Sequence, residues 1–224
     1  MFIKAEEVVI FMTEIEWLGH AGFLIKSGKY IYIDPFKLGE KKYEKADILI
    51  ITHEHYDHWS NEDILKVIDK HTTIVSVVGN QSKLKRLEFA DFKILNPGAC
   101  VTVDDINIKA IPAYNMKKDR LKFHPKENNW VGVIIEAGGE KIYHTGDSDF
   151  IPEMKDLSGK VDVMLVPVSG IYVMDAIEAS QAVLAIMPKK AIPMHYGSIV
   201  GSEKDAEKLK ELLKGKVEVE IQTC

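Results

Sequence analysis

Three histidines and an aspartate lie close together between positions 53 and 58 of the sequence. His53, His55, Asp57 and His58 come just after the apolar run Ile48 to Ile51. An apolar run of this length predicts a strand buried on both faces, and α/β proteins usually place their chemistry just past the end of such a strand. Imidazole nitrogens and carboxylate oxygens are the ligands that zinc and similar divalent ions prefer. The segment therefore predicts a metal site.

The spacing within this segment suggests two metal centres. In an extended or tightly turned loop, His53 and His55 point the same way, while Asp57 and His58 can turn toward a second centre. The zincin motif H-E-x-x-H is excluded, because the fifth residue counted from His53 is Asp57. The alternative is a purely structural role at a strand end. Four potential ligands in six positions favour metal binding.

Length and composition predict an ordinary globular enzyme. The chain has 224 residues, 46% hydrophobic and 28% charged, and we expect one domain spanning 1–224. Its net charge of −5 does not indicate binding to nucleic acid or to an anionic membrane. Cys100 and Cys224 are expected to be free thiols. Without a signal-peptide pattern or a membrane-spanning run, we expect a cytoplasmic protein.

Short apolar runs and turn signals predict an α/β fold with two packed sheets and helices outside them. A helix is expected after Ser60, a short basic one at 80–89, one from Asp175 to Met187 and one from Ser202 to Leu213. Strands are expected at 8–11, 14–18, 22–25, 30–33, 48–51, 73–78, 92–95, 100–103, 106–111, 131–136, 141–144, 161–166, 190–194 and 217–221.

Several motifs together resemble the metallo-β-lactamase superfamily. These are H-x-H-x-D-H at 53–58, His-Thr-Gly-Asp at 144–147 and Pro-Met-His-Tyr at 193–196, preceded by Trp-Leu-Gly-His at 17–20 and Ile-Asp-Pro at 33–35. The resemblance implies a four-layer αββα sandwich. By its whole pattern the chain is similar to the small metal-dependent hydrolases related to ascorbate-6-phosphate lactonase and N-acyl-phosphatidylethanolamine phospholipase D.

The resemblance also implies a ligand set. His53 and His55 would hold the first metal, Asp57 and His58 the second, and Asp147 would bridge both. His195 would be the remaining ligand of the second metal. For Asp147 the alternative is a helix cap, and for His195 it is a histidine of the core.

The chain departs from the superfamily pattern at the third ligand of the first metal. Asn115 stands where most relatives have a histidine. We expect His124, nine residues further on, to loop back and complete the first metal site, since imidazole outcompetes a neutral amide for zinc. The alternatives are that Asn115 binds the metal through its oxygen, or that the position is left open and filled by water.

Three further polar residues end predicted strands and are expected to support the ligands or the core rather than to bind metal. Asp34 could accept the free N–H of a ligating histidine and fix its tautomer. His20 and His144 are the other two, and the direction that His144 faces is not readable from the sequence.

A dinuclear site of this kind predicts hydrolysis. Two divalent ions, zinc by preference with manganese or iron as alternatives, would activate a water, and Asp57 or Asp147 would take a proton. Superfamily members that reduce oxygen have glutamate where this chain has His55, and the antibiotic-degrading members commonly have cysteine where it has Asp147. His55 therefore favours hydrolysis over oxygen reduction, and Asp147 disfavours a β-lactamase. We expect a hydrolase that acts on an ester, lactone or phosphodiester bond.

The loop around His124 bears on the substrate. Its cations are Lys117, Lys118, Arg120, Lys122 and Lys126. A solvated loop is the plain interpretation, but at the mouth of the site these cations would favour an anionic small molecule. The rival functions are a nuclease, disfavoured by the net acidity, and an inactive metal-binding sensor, suggested by Asn115. Oligomeric state leaves no trace in the sequence.

Overall fold

Two β-sheets form the centre of the fold, and each uses a consecutive part of the chain. The computed structural model describes residues 12–224, so the strand predicted at 8–11 lies outside them. The first sheet contains, in spatial order, β1 (Glu14–Gly19), β2 (Gly22–Lys26), β3 (Tyr30–Ile33), β4 (Ile48–Ile51), β5 (Thr73–Ser76) and β6 (Asp91–Ile94). The second contains β7 (Cys100–Val103), β8 (Ile106–Pro112), β9 (Val131–Ala137), β10 (Glu140–His144), β11 (Val163–Pro167), β12 (Lys190–Met194) and β13 (Glu218–Val219), also in order.

Each sheet begins antiparallel and becomes parallel. Strands β1 to β3 pair as hairpins and β3 to β6 run parallel, while β7 to β10 are antiparallel and β10 to β13 parallel. Parallel neighbours end at the same edge of their sheet, so the residues that follow them are brought together. In the first sheet these are Asp34 and His53, and in the second Asp147 and His195.

Alternation along β4 shows how the layers pack. Ile48 and Ile50 share a core cluster with Ile108 and Val133 of the second sheet. Leu49 and Ile51 point to the other face and belong to a separate cluster with residues of α1 (Asn61–Val67). The remaining helices, α2 (Ala176–Ile186) and α3 (Glu203–Leu213), pack on the second sheet. The predicted αββα sandwich is confirmed.

The helix ends follow the predicted caps. Ser60 accepts the N–H of Asp63, and Asp175 forms a capping box with Glu178 at the start of α2. The short basic helix predicted at 80–89 is a 3-10 helix that covers Val78–Arg86. This segment buries only Asn80 and Leu84, so it lacks the apolar stripe that would stabilise an α-helix.

The last predicted strand is also shorter than expected, since only Glu218–Val219 of 217–221 pairs with β12. Cys100 and Cys224 are free and exposed, as predicted. Between Met12 and Cys224, none of the helices has the length and apolar character that crossing a bilayer requires.

Gly132 in β9 allows the chain after β10 to cross close to the sheet. A Cβ at this position would lie 2.6 Å from the backbone oxygen of Thr145, two residues before Asp147. We expect Gly132→Ala to lower the free energy of unfolding by about 1–3 kcal/mol, because backbone atoms must shift to relieve the clash. Urea denaturation measures this, with Gly39→Ala as the control, since a Cβ there meets nothing closer than 4.0 Å. Equal midpoints for both variants would contradict the prediction.

Candidate metal centre

Three histidines form a first group of potential ligands at the end of β4. His53 follows the strand, and its Nε2 lies 3.1 Å from Nδ1 of His55. His124 reaches the same place from the loop after β8, and one ring nitrogen from each of the three lies within 4.8 Å of the others. The structure therefore brings together the three histidines that the sequence predicts for the first metal.

A second group of potential ligands contains His20, Asp57, His58 and His195, which likewise lie within 4.8 Å of one another. His58 and His195 are fully or almost fully buried, at 0% and 1% exposure. Residues close together in sequence are thus divided between two groups, and the groups adjoin each other, since the ring centroids of His53 and His58 lie 3.9 Å apart. His20, for which a supporting role is predicted, also lies in this group.

Asp147 lies between the two groups. Its Oδ2 atom is 3.3 Å from Nε2 of His124, which belongs to the first group, and 4.0 Å from Nε2 of His53. The same oxygen is 3.3 Å from Nε2 of His58 and 3.0 Å from Nε2 of His195 in the second group. One carboxylate therefore contacts ring nitrogens of both groups, as the bridging role predicted for Asp147 requires.

Asp34 and Thr52 orient two of these histidines. Oδ2 of Asp34 lies 2.7 Å from Nδ1 of His58 and accepts the hydroxyl proton of Thr52 at 2.6 Å. Because the Thr52 hydroxyl donates to Asp34, it can accept from Nδ1 of His53, 3.0 Å away. These contacts keep a proton on Nδ1 of each ring, and Nε2 is the nitrogen that faces Asp147.

Asn115 has a corresponding role for His124. Its Oδ1 accepts from the backbone N–H of His124 at 3.1 Å and lies 3.0 Å from Nδ1 of the same ring. Its Nδ2 donates to Asp149 and to the backbone oxygen of Tyr172. Both polar ends of Asn115 are thus engaged, so this residue holds His124 and is not itself placed as an oxygen ligand.

His20 and His144 differ in what they contact. Nε2 of His20 donates to Oδ2 of Asp57 at 2.9 Å. His144 donates from Nε2 to the backbone oxygen of Ala21 and accepts at Nδ1 from the N–H of Gly146. Both nitrogens of His144 are used by the backbone, so it fixes the turn that carries Asp147 and offers nothing to a cation.

The backbone around the centre is strained at three polar residues. His20, Asp34 and His195 have positive φ angles of 51°, 44° and 60°, in the left-handed region that side chains rarely adopt. The N–H of His195 donates to the backbone oxygen of His20 at 2.7 Å, which ties two of these residues together. Such strain persists only where the surrounding structure compels it, and it concentrates at functional sites.

Burial and mutual charge shift the pKa values of these groups. Burial, with the nearby His58, lowers the pKa of His53 well below its usual value. For His58 burial acts the same way, but the carboxylates of Asp147, Asp34 and Asp57 outweigh it and raise its pKa well above the usual value. Burial would raise the pKa of Asp57, yet His58 and His20 lower it to about 2. The carboxylates are therefore ionised at neutral pH.

Several buried polar atoms at this centre have no hydrogen-bond partner among residues 12–224: Nε2 of His58, His124 and His195, and Oδ1 of Asp147. Leaving buried polar atoms unpaired is costly, so such a set in one place indicates a bound group that satisfies them. All are nitrogen or oxygen donors of the kind that divalent metals bind. The residues present therefore fit a metal centre.

The basic loop does not place its cations where the sequence analysis expects them. Arg120 is buried and binds Asp149 and Glu178, each at 2.7 Å. Lys117 also binds Glu178, and Lys126 binds Glu153 at 3.2 Å. These side chains anchor the loop on neighbouring elements because buried or half-buried acids face them. The expectation of a cationic mouth is wrong for these three residues.

A cavity of about 180 Å³ opens onto the centre. Besides potential ligands, its lining contains Tyr56, Phe123, Tyr172 and Ile199. Within the part of the chain that the structure describes, no lysine or arginine lines it.

Sequence reasoning missed Trp130 and Ser169. Trp130 packs against the rings of the first group, with centroids 4.9 Å from His53, 4.7 Å from His55 and 5.6 Å from His124. Ser169 Oγ lies 3.2 Å from Nδ1 of His195. Ser169 could have been found from the sequence, because it lies just past the end of a strand, β11, as the candidate histidines do. Trp130 could not, because no local pattern distinguishes it from a core residue.

The chain resembles known proteins over most of its length. The family described as the beta-lactamase superfamily domain matches residues 14–195. The chain belongs to this superfamily. Within the superfamily, it is 31% identical to a UPF0173 metal-dependent hydrolase of Thermococcus kodakarensis, over 94% of this chain and 96% of the relative. A second relative with the same description, from Archaeoglobus fulgidus, is 30% identical over 93% and 94% of the two chains. The chain is thus a member of the UPF0173 metal-dependent hydrolases.

Solved structures share the fold of this superfamily member. A crystal structure of a protein from Parabacteroides distasonis has a TM-score of 0.82 at 32% identity and covers 95% of this chain and 98% of its own. A metallo hydrolase of Ignicoccus hospitalis, 24% identical, has a TM-score of 0.76, and the match covers 94% of both chains. The second likeness supports the fold alone.

Substitutions at positions 115 and 124 distinguish a ligand from a residue that holds one. One cation in each group of potential ligands predicts that His124→Ala lowers the metal content by about half, because the first group would lose one of its three imidazoles. Asn115→Ala should keep full content at saturating metal and weaken the affinity about 10–100-fold, since only the support of His124 is lost. Elemental analysis and metal titration measure both. His71→Ala, on the surface, is the control, and the reverse pattern would show that Asn115 is the ligand.

Proposed function

We propose that this chain hydrolyses an ester, lactone or phosphodiester bond of a small molecule and binds two divalent cations to do so. The observation that carries the proposal is the convergence of Nε2 of His58, His124 and His195 on one oxygen of Asp147, at 3.0–3.3 Å. These nitrogens are buried and otherwise unpartnered within the described residues. Positive ions bound between them and the carboxylate would satisfy all four groups.

The proposed ligands follow from the two groups. His53, His55 and His124 would hold the first cation, and Asp57, His58 and His195 the second, with Asp147 bound to both. Zinc suits this mixture of imidazole and carboxylate donors, and manganese or iron would be accepted. When bound, such ions supply Lewis acidity, which polarises a scissile bond and makes a water molecule more acidic.

Several side chains orient the proposed ligands or can accept a proton. Asp34, Thr52 and Asn115 keep protons on the outer ring nitrogens, so that the inner nitrogens face the centre as acceptors. Asp57 is ionised, lines the cavity and is held by the N–H of His20. Asp147 also lines the cavity, so by position these two carboxylates are the acceptors in reach of a proton released during hydrolysis.

Charge favours an anionic reacting group. Asp57 and Asp147 are the only carboxylates in the proposed ligand set, so they would offset half of the charge of two divalent ions. The centre keeps a net positive charge, and this attracts a phosphate or carboxylate even though the loop cations are engaged elsewhere. Nucleic acid is less well supported, because the cavity is small and its described lining has no lysine or arginine.

Metal removal combined with a substrate panel tests the proposal. The purified protein should hydrolyse members of a panel of phosphodiesters, lactones and esters, lose this activity on dialysis against a chelator and regain it with Zn²⁺ or Mn²⁺. Activity that survives complete metal removal would overturn the metal-dependent mechanism. Full metal content without turnover of any panel member would instead support a metal-binding sensor.

A further inference from the structure

The cavity beside the metal centre is lined by residues of two chemical kinds. Potential ligands are one kind: His55, Asp57, His124, Asp147 and His195. The others, called here the apolar lining, are Tyr56, Phe123, Tyr172 and Ile199, whose side chains consist mainly of carbon. A molecule that binds here must therefore combine a group suited to metal ions with an apolar group next to it.

Two aromatic side chains of the apolar lining, Phe123 and Tyr172, pack against each other. The rings of Phe123 and Tyr172 meet edge to face, with centroids 4.7 Å apart and an angle of 81° between their planes. This is one of the arrangements that aromatic pairs prefer. Both residues are partly buried rather than free on the surface, so the pair presents a stable wall to the cavity.

The wall is tied to the centre through Asn115. Phe123 directly precedes His124, whose ring Asn115 holds, and the backbone oxygen of Tyr172 accepts a hydrogen bond of 3.0 Å from the same Asn115 amide. The distance between the wall and the candidate ligands is therefore set by one side chain. A substrate would meet both in fixed relation, as a specificity site requires.

The size of the cavity limits the apolar group. An apolar cavity of about 150 Å³ holds one benzene ring, and the cavity here measures about 180 Å³. The cavity therefore has room for about one ring and not for two.

We propose that the substrate carries a single aromatic ring next to the reacting anionic group, packed against Phe123, Tyr172 and Ile199. This inference rests on the proposed function for the identity of the site, but it concerns binding and can be tested without turnover. The rest of a larger substrate extends past Tyr56, whose side chain is 67% exposed at the opening.

Calorimetric binding of two phosphonates to the zinc-loaded protein tests the inference. Phenylphosphonate and methylphosphonate share the anionic group and differ in the ring. We expect phenylphosphonate to bind at least about tenfold more tightly, since one ring transferred from water to an apolar wall contributes on this scale. Equal affinities for the two ligands would overturn the inference, whether or not the protein hydrolyses any ester.

Substitutions in the cavity lining test where the phenyl ring of phenylphosphonate binds. Tyr172→Ala keeps the backbone oxygen that binds Asn115, and it should reduce the preference for phenylphosphonate to about twofold while metal content stays unchanged. Leu121→Ala, in the loop that carries Phe123 but outside the cavity lining, is the control and should keep the preference. If Tyr172→Ala and Ile199→Ala both retain the full preference, the ring lies elsewhere and the proposal is wrong. If the protein hydrolyses a panel substrate but binds the two phosphonates equally, the proposed function is retained and only this inference is wrong.

Discussion

Asp147→Asn is expected to lower the rate of hydrolysis by at least about 10³-fold, comparable to the loss of a major electrostatic group in other active sites. Asparagine has nearly the same shape, so the change removes charge with little change of volume. The lost charge faces four histidine nitrogens within 4.0 Å. In the proposed arrangement both groups then lose a ligand, so bound metal should fall as well as activity. Elemental analysis and the most active substrate of the panel measure the two effects.

Asp156→Asn makes the same chemical change on the surface and serves as the control for Asp147→Asn. It should leave metal content and rate unchanged. If Asp147→Asn binds as much metal as the parent protein and hydrolyses as fast, Asp147 is not shared by the two sites. A folded variant with half the metal content would place Asp147 in one site only.

Arg120→Met is expected to lower the free energy of unfolding by about 3–5 kcal/mol, because it removes the guanidinium that pairs with the buried carboxylate of Asp149. Arg120 is 2% exposed and binds both Asp149 and Glu178. Asp149 in turn accepts hydrogen bonds from the backbone of Met116 and Lys117. The ion pairs therefore hold the loop that carries His124, and the affinity for metal should fall together with stability. Urea denaturation and metal titration measure these changes.

Lys118→Met, in the same loop at an exposed position, is the matched control for Arg120→Met and should change stability by less than about 0.5 kcal/mol. A similarly small loss for Arg120→Met would contradict the prediction, since the pair would then contribute no more than a surface pair. Loss of stability with unchanged metal affinity would show that His124 keeps its position without this anchor.

Local patterns in the sequence predicted most of the strands and the capped helices. An apolar run such as Ile48–Ile51 forms a buried strand whatever its neighbours are, and a serine or aspartate before an amphipathic stretch caps a helix through its own side chain. The polar residues after such strands could be predicted to meet because parallel strands end at one edge. His53 was found in this way, whereas Asp147 and His195 followed from the resemblance to the superfamily, which places ligands after later strands.

The partners of the cations in the basic loop could not be predicted from the local sequence. A run of cations is equally compatible with solvent, with substrate or with acids elsewhere in the fold. Arg120 binds Asp149 and Glu178, which lie 29 and 58 positions away in the sequence, and no local signal links the three. The direction of His144 could not be predicted for the same reason, since its partner Ala21 lies in the turn between β1 and β2, far away in the sequence.

By itself, then, the sequence determined the elements, the packing of two sheets and the residues at their edges, because these depend on periodicity and spacing along the chain. Only the tertiary structure decided which nitrogen of each histidine faces the centre, that Asn115 holds His124, and that an aromatic wall closes the cavity. Those features depend on contacts between residues far apart in sequence, and such contacts form only when the two sheets pack together.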